Sequence, residues 1–369
     1  MAGSGLWAWQ FPDAEAAPSL AYEKRPVEFS EIEGWAKDDH AAAFKTFRLS
    51  CRVFLHPNVK PKPSAEIKAV CELARMLPNT LSRDDARSFF EANFTPYFVR
   101  RPEKSALLTG YFEPEIQGSL TPNEAHSVPV YAKPDDLVLI TSAVDRGDLP
   151  AELTAARMTS EGLKPYYTRR EIDEGVLKGR GLEIAYISDP YEAFIMQVQG
   201  SGVIKLDNGK RIRIGFAGKN GHPYTSIGKV LTKRGVFQGG MASMPKILSW
   251  MRSEPTQARE VMWQNKSYPF FSRIKGDAPR GAMAIPLTPG RSMAVDPRYH
   301  QLGMPIWISV PDFNLDGHEG LARLMIAQDT GSAIRGSVRG DFFWGTGPAA
   351  GKLAGRMKHP CDFYVFIPK

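Results

Sequence analysis

A change of periodicity near residue 95 constrains this chain more than any other feature. Up to Asn93 apolar residues recur at helical spacing, and from Pro96 they fall into short runs cut by Gly, Pro and Asn-Gly. Runs that short call for many strands joined by tight turns rather than a helix bundle. The 33 glycines and 29 prolines supply the punctuation. A length of 369 residues predicts two domains. The content of 43% hydrophobic and 24% charged residues is ordinary for a globular chain and excludes disorder and coiled coil.

Residues 1–29 are Ala/Pro/Glu-rich and aperiodic, and read as a surface arm. Ser30 and Glu33 have capping-box spacing ahead of Phe44, Phe47 and Cys51, which recur as one helical face. Ser64 opens a second helix with Ile67, Val70, Cys71, Ala74 and Leu77 on one side, ended by Pro78. Ser82 and Asp85 open a third, running to Asn93. Strands are then expected over 96–100, 106–112, 128–132, 137–141, 184–188, 193–198, 203–205 and 211–216, with a hairpin at Asn208-Gly209. Helical spacing returns at 225–231 and at 243–262, the latter broken at Glu254-Pro255. Strands resume at 282–287, 306–310, 324–327 and 363–367. The N-terminal helices have no sheet of their own. They are expected to pack on the last β block, with the middle block inserted as a separate all-β domain.

The 47 Lys+Arg against 40 Asp+Glu give a net charge of +7. Basic residues are scattered, with Lys210-Arg211-Ile212-Arg213 and Arg169-Arg170 as the densest clusters, so they read as solvated faces and no nucleic-acid partner is expected. Cys51, Cys71 and Cys361 show no C-x-x-C spacing. Their odd number argues against a disulfide framework and leaves one bridge with a spare thiol as the alternative. No window approaches 18 uncharged apolar residues, so no membrane span is expected. The start of the chain lacks a charged n-region and an apolar h-region, so no export signal is expected in it.

Several catalytic motifs fail on spacing. Gly351-Lys352 and Gly228-Lys229 lack the first glycine of a P-loop, and Gly200-Ser201-Gly202 is not a nucleophile elbow. Histidines 40, 56, 126, 222, 300, 318 and 359 form no pair at metal-ligand spacing, so no metal and no organic cofactor is expected.

What remains is polar, glycine-dense and aromatic. The stretches 197–202 (QVQGSG) and 218–224 (GKNGHPY), with Tyr111, Phe112, Tyr191 and Tyr224, offer the amides, hydroxyls and ring faces a sugar site uses, or else tight turns. Near the C-terminus an apolar run ends in Asp329, and twelve residues on Asp341 is followed by Phe342, Phe343 and Trp344. Apolar surroundings raise a carboxyl pKa, which a general acid working near neutral pH needs. Asp341 is therefore the better candidate acid. Asp329 precedes a Thr-Gly turn, where an aspartate commonly accepts backbone N–H bonds.

The stretches TGYFEP (109–114), FIMQVQGSG (194–202), FAGKNGHPYTSIGKVL (216–231), NKSYPFF (265–271), GAMAIPL (281–287), LMIAQDTGSAIRG (324–336) and GDFFWGTGPAAGKLAG (340–355) resemble the membrane-bound lytic murein transglycosylase A family. The likeness runs over about residues 105–369, while the first hundred residues match loosely. It implies a mainly β fold, a double-psi β-barrel with N-terminal helices. The barrel would comprise 1–114 plus 275–369 and be interrupted by an inserted β-domain over 115–274, with glycan bound in the groove between them. It implies a periplasmic, outer-membrane-associated enzyme of the cell envelope that needs no cofactor and acts as a monomer. Its partners would be peptidoglycan strands and other cell-wall enzymes.

The expected reaction is cleavage of the β-1,4 bond between N-acetylmuramic acid and N-acetylglucosamine, leaving 1,6-anhydro ends. The resemblance makes Asp341 the acid/base and Asp329 a second acid in the same groove. Gln199, Ser201, Lys219, Tyr111 and Trp344 are the expected glycan contacts. Two alternatives stand beside this reading: a non-catalytic wall-binding protein, and a polysaccharide hydrolase that uses both carboxylates.

Overall fold

The computed structural model describes residues 22–101, 105–237 and 243–369. Most of the arm expected over 1–29, residues 1–21, lies outside the described residues. From Glu23 to Pro26 the chain is a strand paired antiparallel with Phe94–Arg100. The described residues are mainly β with flanking helices, in two compact units. One comprises residues to Gly110 with Arg280–Trp344 and Met357–Lys369, and the other Tyr111–Pro279 with Gly345–Arg356.

In the first unit three helices, His40–Phe54, Ala65–Met76 and Arg83–Asn93, precede the strands. The caps at Ser64 and Ser82 sit where the sequence predicts them, each accepting an N–H three residues on. The capping box does not involve Ser30. It joins Glu28 and Glu31 around a single 3-10 turn, and the long helix starts later, capped by Asp39. Trp35, a large buried ring between those two points, packs against Phe29 and edge-on against Trp307. Cys51 and Cys71 form a disulfide across the first two helices, and Cys361 is free. That resolves the cysteine count in favour of one bridge with a spare thiol.

A nine-stranded sheet forms the body of this unit. Its order is Glu23–Pro26, Phe94–Arg100, Asp362–Pro368, Pro305–Leu315, His318–Asp329, Ser292–Val295, Arg339–Thr346, Leu107–Glu113, Lys358–Pro360. The strands 305–315 and 318–329 form one long hairpin turned by Asp316-Gly317, both at positive φ. The helices do pack on this β block. Gln328 is fully buried, donates to the Thr46 carbonyl and the Ser50 hydroxyl on the first helix, and accepts from Ser292 Oγ. A buried ion pair supports the same strands. Both carboxylate oxygens of Asp38 accept from Arg291 at 2.7 and 2.8 Å, and the Leu324 amide adds a third bond. Residues 282–287, expected as a strand, are turns and bends with one isolated bridge from Pro286 to Arg280, and Ala284 sits at φ 57°, outside the extended region.

The second unit holds a six-stranded sheet ordered Pro269–Arg273, Arg211–Lys219, Ser201–Leu206, Glu115–Ser119, Glu183–Ile187, Val128–Tyr131, and a three-stranded sheet of Leu137–Leu139, Ala155–Thr159 and Gly162–Pro165. Asn208-Gly209 turns the hairpin the sequence predicts. Residues 193–198 are not a strand. They lie in the helix Pro190–Gln199, which has Asp189 at its N-cap, proline in its first turn and Gly200 at φ 80° as its C-cap. All of 193–197 are buried, Gln197 included, so the segment has no exposed face to mark a helical period. Two helices, Met244–Ser253 and Pro255–Gln264, break at Glu254-Pro255 as the proline requires. Gly345–Arg356, including the helix Pro348–Ala354, groups with this unit rather than with the C-terminal block. Among the described residues no helix is long and apolar enough to cross a membrane.

Candidate active site

The two acids meet around a single residue. Ala294, on the short strand Ser292–Val295, is in register with Asp329 on one flanking strand and with Asp341 on the other. Neighbouring strands lie about 4.8 Å apart, so the two aspartate Cα atoms are about 10 Å apart across Ala294. The family resemblance placed both acids in one groove, but the strand between them was not expected, because Ser292 and the three apolar residues after it make too short a run.

Their environments differ. Asp329 Oδ1 accepts the backbone N–H groups of Ala282 at 3.0 Å and Thr330 at 2.9 Å, so it organises the turn that follows and the segment beside it. Asp341 receives the Thr109 hydroxyl on Oδ1. It keeps part of its surface open, while protein atoms crowd the carboxyl and Phe342 and Phe343 behind it are fully buried. Burial pushes its pKa above the ordinary carboxyl value, against the opposing pull of Arg339 and of the Thr109 bond. Arg339 precedes Asp341 by two residues on the same strand and so shares its face. Its Nη2 donates to Thr109 Oγ1 at 2.7 Å, and its Nη1 donates to the carbonyls of Leu107 and Gly340. Thr109 and Arg339 were missed as site residues. The signal for Arg339 was present, since strand spacing i, i+2 puts a cation beside the acid.

The loop from Thr330 to Val338 that separates the acids is pinned at its far end. Asp296 Oδ2 accepts the Gly336 amide at 2.7 Å, and the His300 ring bonds the Ser337 carbonyl at 2.7 Å. Burial pushes His300 down from 6.5 to about 4. The folded protein thus holds this ring neutral, while the unfolded chain takes up a proton once pH drops below 6.5. Stability from this group is complete above pH 6.5 and is lost as pH falls toward 4, by about 3 kcal/mol in total. Urea unfolding at pH 7, 5 and 4 is expected to show a shallower acid loss for His300→Gln than for the unsubstituted chain. Equal slopes would refute it.

Trp344, expected as a stacking platform, is half-buried, packs on Phe342 at 4.7 Å and donates its indole N–H to Met357 Sδ. The remaining expected contacts lie in the second unit. Gln199 ends its helix and accepts the Phe112 amide on Oε1 at 3.0 Å. Ser201, 8% exposed, opens the next strand opposite Gly215. Lys219 closes the strand 211–219 opposite Pro269. Tyr111 is 8% exposed. Phe216, which was not singled out, is 56% exposed one residue beyond the Ser201–Gly215 pair.

Three distant motifs of this unit converge on two buried polar side chains. Arg169 donates to the carbonyls of Asn265 and Ser267 and to Gln197 Oε1, and its guanidinium stacks on Phe194 and Tyr268. Asn220 donates to the carbonyls of Tyr167 and Lys266 and accepts the Tyr268 amide. Gly221 follows at φ 85°, where a Cβ would come within 2.4 Å of the Ala155 backbone. Glu113, fully buried, takes Arg213 on both oxygens and the Thr346 hydroxyl, which ties 345–356 into this unit. Much of the glycine and amide density in 197–224 therefore builds the scaffold. A cavity of about 730 Å³ in the first unit is lined by Arg100, Val310, Val338, His359 and Cys361 but not by Asp341. Among the described residues no group of His, Cys, Asp and Glu is arranged to hold a metal ion.

Two family models match successive parts of the chain. The family model of the MltA specific insert domain matches residues 107–272, and that of the 3D domain matches residues 291–367. A membrane-bound lytic murein transglycosylase A of Vibrio cholerae is 34% identical over 260 residues, covering 69% of this chain and 63% of that protein. The chain thus spans less than two thirds of the length of that curated relative. The crystal structure of a membrane-bound lytic murein transglycosylase from Agrobacterium tumefaciens superimposes with a TM-score of 0.86 at 35% identity, covering 94% of this chain and 98% of that one. A structure of Escherichia coli MltA with bound chitohexaose gives 0.65 at 28% identity, covering 90% of each chain. With both family models placed in order and the full length of a solved relative reproduced, the chain belongs to the membrane-bound lytic murein transglycosylase A family.

Proposed function

We propose that this protein is a peptidoglycan lytic transglycosylase in which Asp341 acts first as general acid and then as general base. The observation that carries the reading is the Asp341 carboxyl itself. The residue keeps part of its surface open, its carboxyl is held protonated more readily than that of an ordinary aspartate, and the Thr109 hydroxyl bonds one of its oxygens. In the proposed step, Asp341 gives its proton to the glycosidic O4 as the C1–O4 bond breaks and C1 becomes oxocarbenium-like. The carboxylate then takes the proton of the same sugar's C6 hydroxyl as that oxygen bonds C1. No water is consumed, and the catalytic carboxyl ends protonated, ready for the next cycle. Because nucleophile and electrophile share one ring, ring closure avoids the entropy cost of recruiting a second molecule. The substrate's acetamido group or Asp329 stabilises the intermediate.

On this reading the nine-stranded sheet is a double-psi β-barrel, and Gln199, Ser201, Lys219, Tyr111 and Trp344 bind the glycan. The relative with bound chitohexaose supports a glycan ligand. The Cys51–Cys71 disulfide supports maturation in an oxidising compartment, here the periplasm, where the wall lies. The net charge of +7 favours attraction to a wall polymer bearing carboxylates, an effect that salt weakens.

The test is digestion of isolated murein sacculi with mass analysis of released muropeptides. Products one water lighter than hydrolysed muropeptides and resistant to borohydride are expected. Full-mass reducible ends would make the protein a two-carboxylate hydrolase, and binding without release a wall-binding protein.

A further inference from the structure

The Thr109 hydroxyl has one proton and two bonds, and their directions are fixed by what lies on either side. Arg339 has only donors, so Thr109 Oγ1 accepts from its Nη2 at 2.7 Å. The hydroxyl proton is then committed to Asp341 Oδ1. An oxygen that accepts this bond is the unprotonated oxygen of the carboxyl, which leaves Oδ2 to carry the catalytic proton. Arg339 is held in turn by the Leu107 and Gly340 carbonyls, so the cation cannot swing away without breaking both.

We propose that Arg339, acting through Thr109, is the positioning residue of the general acid: it orients the Asp341 carboxyl so that Oδ2 bears the proton, and it supplies the fixed positive charge that the carboxylate faces once the proton has left. This rests on the proposed transglycosylase reading.

The groups around the carboxyl single out Arg339. Thr109 on the neighbouring strand is neutral, and Ala294 on the other side has no charge. Asp329, one strand further, has its Oδ1 engaged with two amides. The other ionisable group that Arg339 faces is Cys361, whose thiol burial pushes up to about 12, so it presents no competing anion. Arg339 is the charged group that holds the proton affinity of Asp341 down against burial.

The test uses the full chain on sacculi, with kcat, KM and the pH profile measured for Arg339→Gln, Thr109→Val, Thr109→Ser and the double variant, each checked for native thermal unfolding. Arg339→Gln and Thr109→Val are expected to lower kcat by about 10- to 100-fold with KM little changed, as loss of reactant alignment does. Both move the alkaline limb of the profile to higher pH, because the acid loses a group that favours its ionised form. Thr109→Ser restores the original limb, and adding Arg339→Gln to Thr109→Val costs little more, since the relay is already cut.

An unmoved limb in Arg339→Gln, or independent additive losses, would overturn the proposal and leave the pair a strand fastener. A carbon-13 titration of the Asp341 carboxyl keeps the two readings apart. It is expected to shift upward in Arg339→Gln even if the unsubstituted chain releases hydrolysed products or none, and no shift there refutes the relay whatever the products are.

Discussion

Replacing Asp341 by Asn is expected to lower release of anhydro-muropeptides by at least about 10²–10⁴-fold, the usual contribution of a positioned proton donor. The change is close to isosteric, and an amide oxygen still accepts the Thr109 hydroxyl, so binding of the glycan and the fold are expected to survive. Stability gives an independent check with a defined sign. A carboxyl whose pKa is raised by folding costs stability above its unfolded pKa, and the cost grows as pH climbs toward the folded value. Asp341→Asn removes that cost, so the midpoint of thermal unfolding at pH 7 is expected to hold or rise while activity collapses. Near-normal turnover in the variant would remove Asp341 from the mechanism. A lowered midpoint would mean that the carboxyl is structural, with activity lost through misfolding.

The largest expected effect on stability lies elsewhere in the same unit. Asp38→Ala leaves the Arg291 guanidinium, itself 6% exposed, without its two carboxylate bonds, and strips the Leu324 amide of its acceptor. Breaking a buried pair by removing one partner costs about 3–5 kcal/mol. Urea unfolding measures it, and a loss below about 1 kcal/mol would show that the pair is dispensable. The double replacement Asp38→Leu with Arg291→Met is expected to recover much of the loss, since no uncompensated charge remains buried. Arg291 immediately precedes the strand whose Ala294 sits between Asp329 and Asp341. Asp38→Ala is therefore also expected to reduce activity below the denaturation midpoint, whereas the double variant restores most of it.

Local chemistry was readable residue by residue. Serines 64 and 82, the Glu254-Pro255 break and the Asn208-Gly209 turn act through neighbours three or four residues away, so their signals survive in a linear reading. The helix Pro190–Gln199 was misread for the converse reason. Burial on all sides erases the periodic contrast by which a helix is recognised, and only its tertiary surroundings show why so apolar a segment needs none. The strand Ser292–Val295 is too short to announce itself, yet its pairing with two partners sets the spacing of the acids.

The sequence by itself determined which residue types were on offer: an aspartate embedded among aromatics, a second before a Thr-Gly turn, and enough glycine-punctuated β runs to exclude a helical protein. It also carried the family likeness. The tertiary structure alone decided what surrounds Asp341. Its carboxyl meets Thr109, 232 positions away in the chain, and is buried by strands no local pattern connects. Proton affinity is set by distance and dielectric in space, and neither is a property of neighbours along the chain.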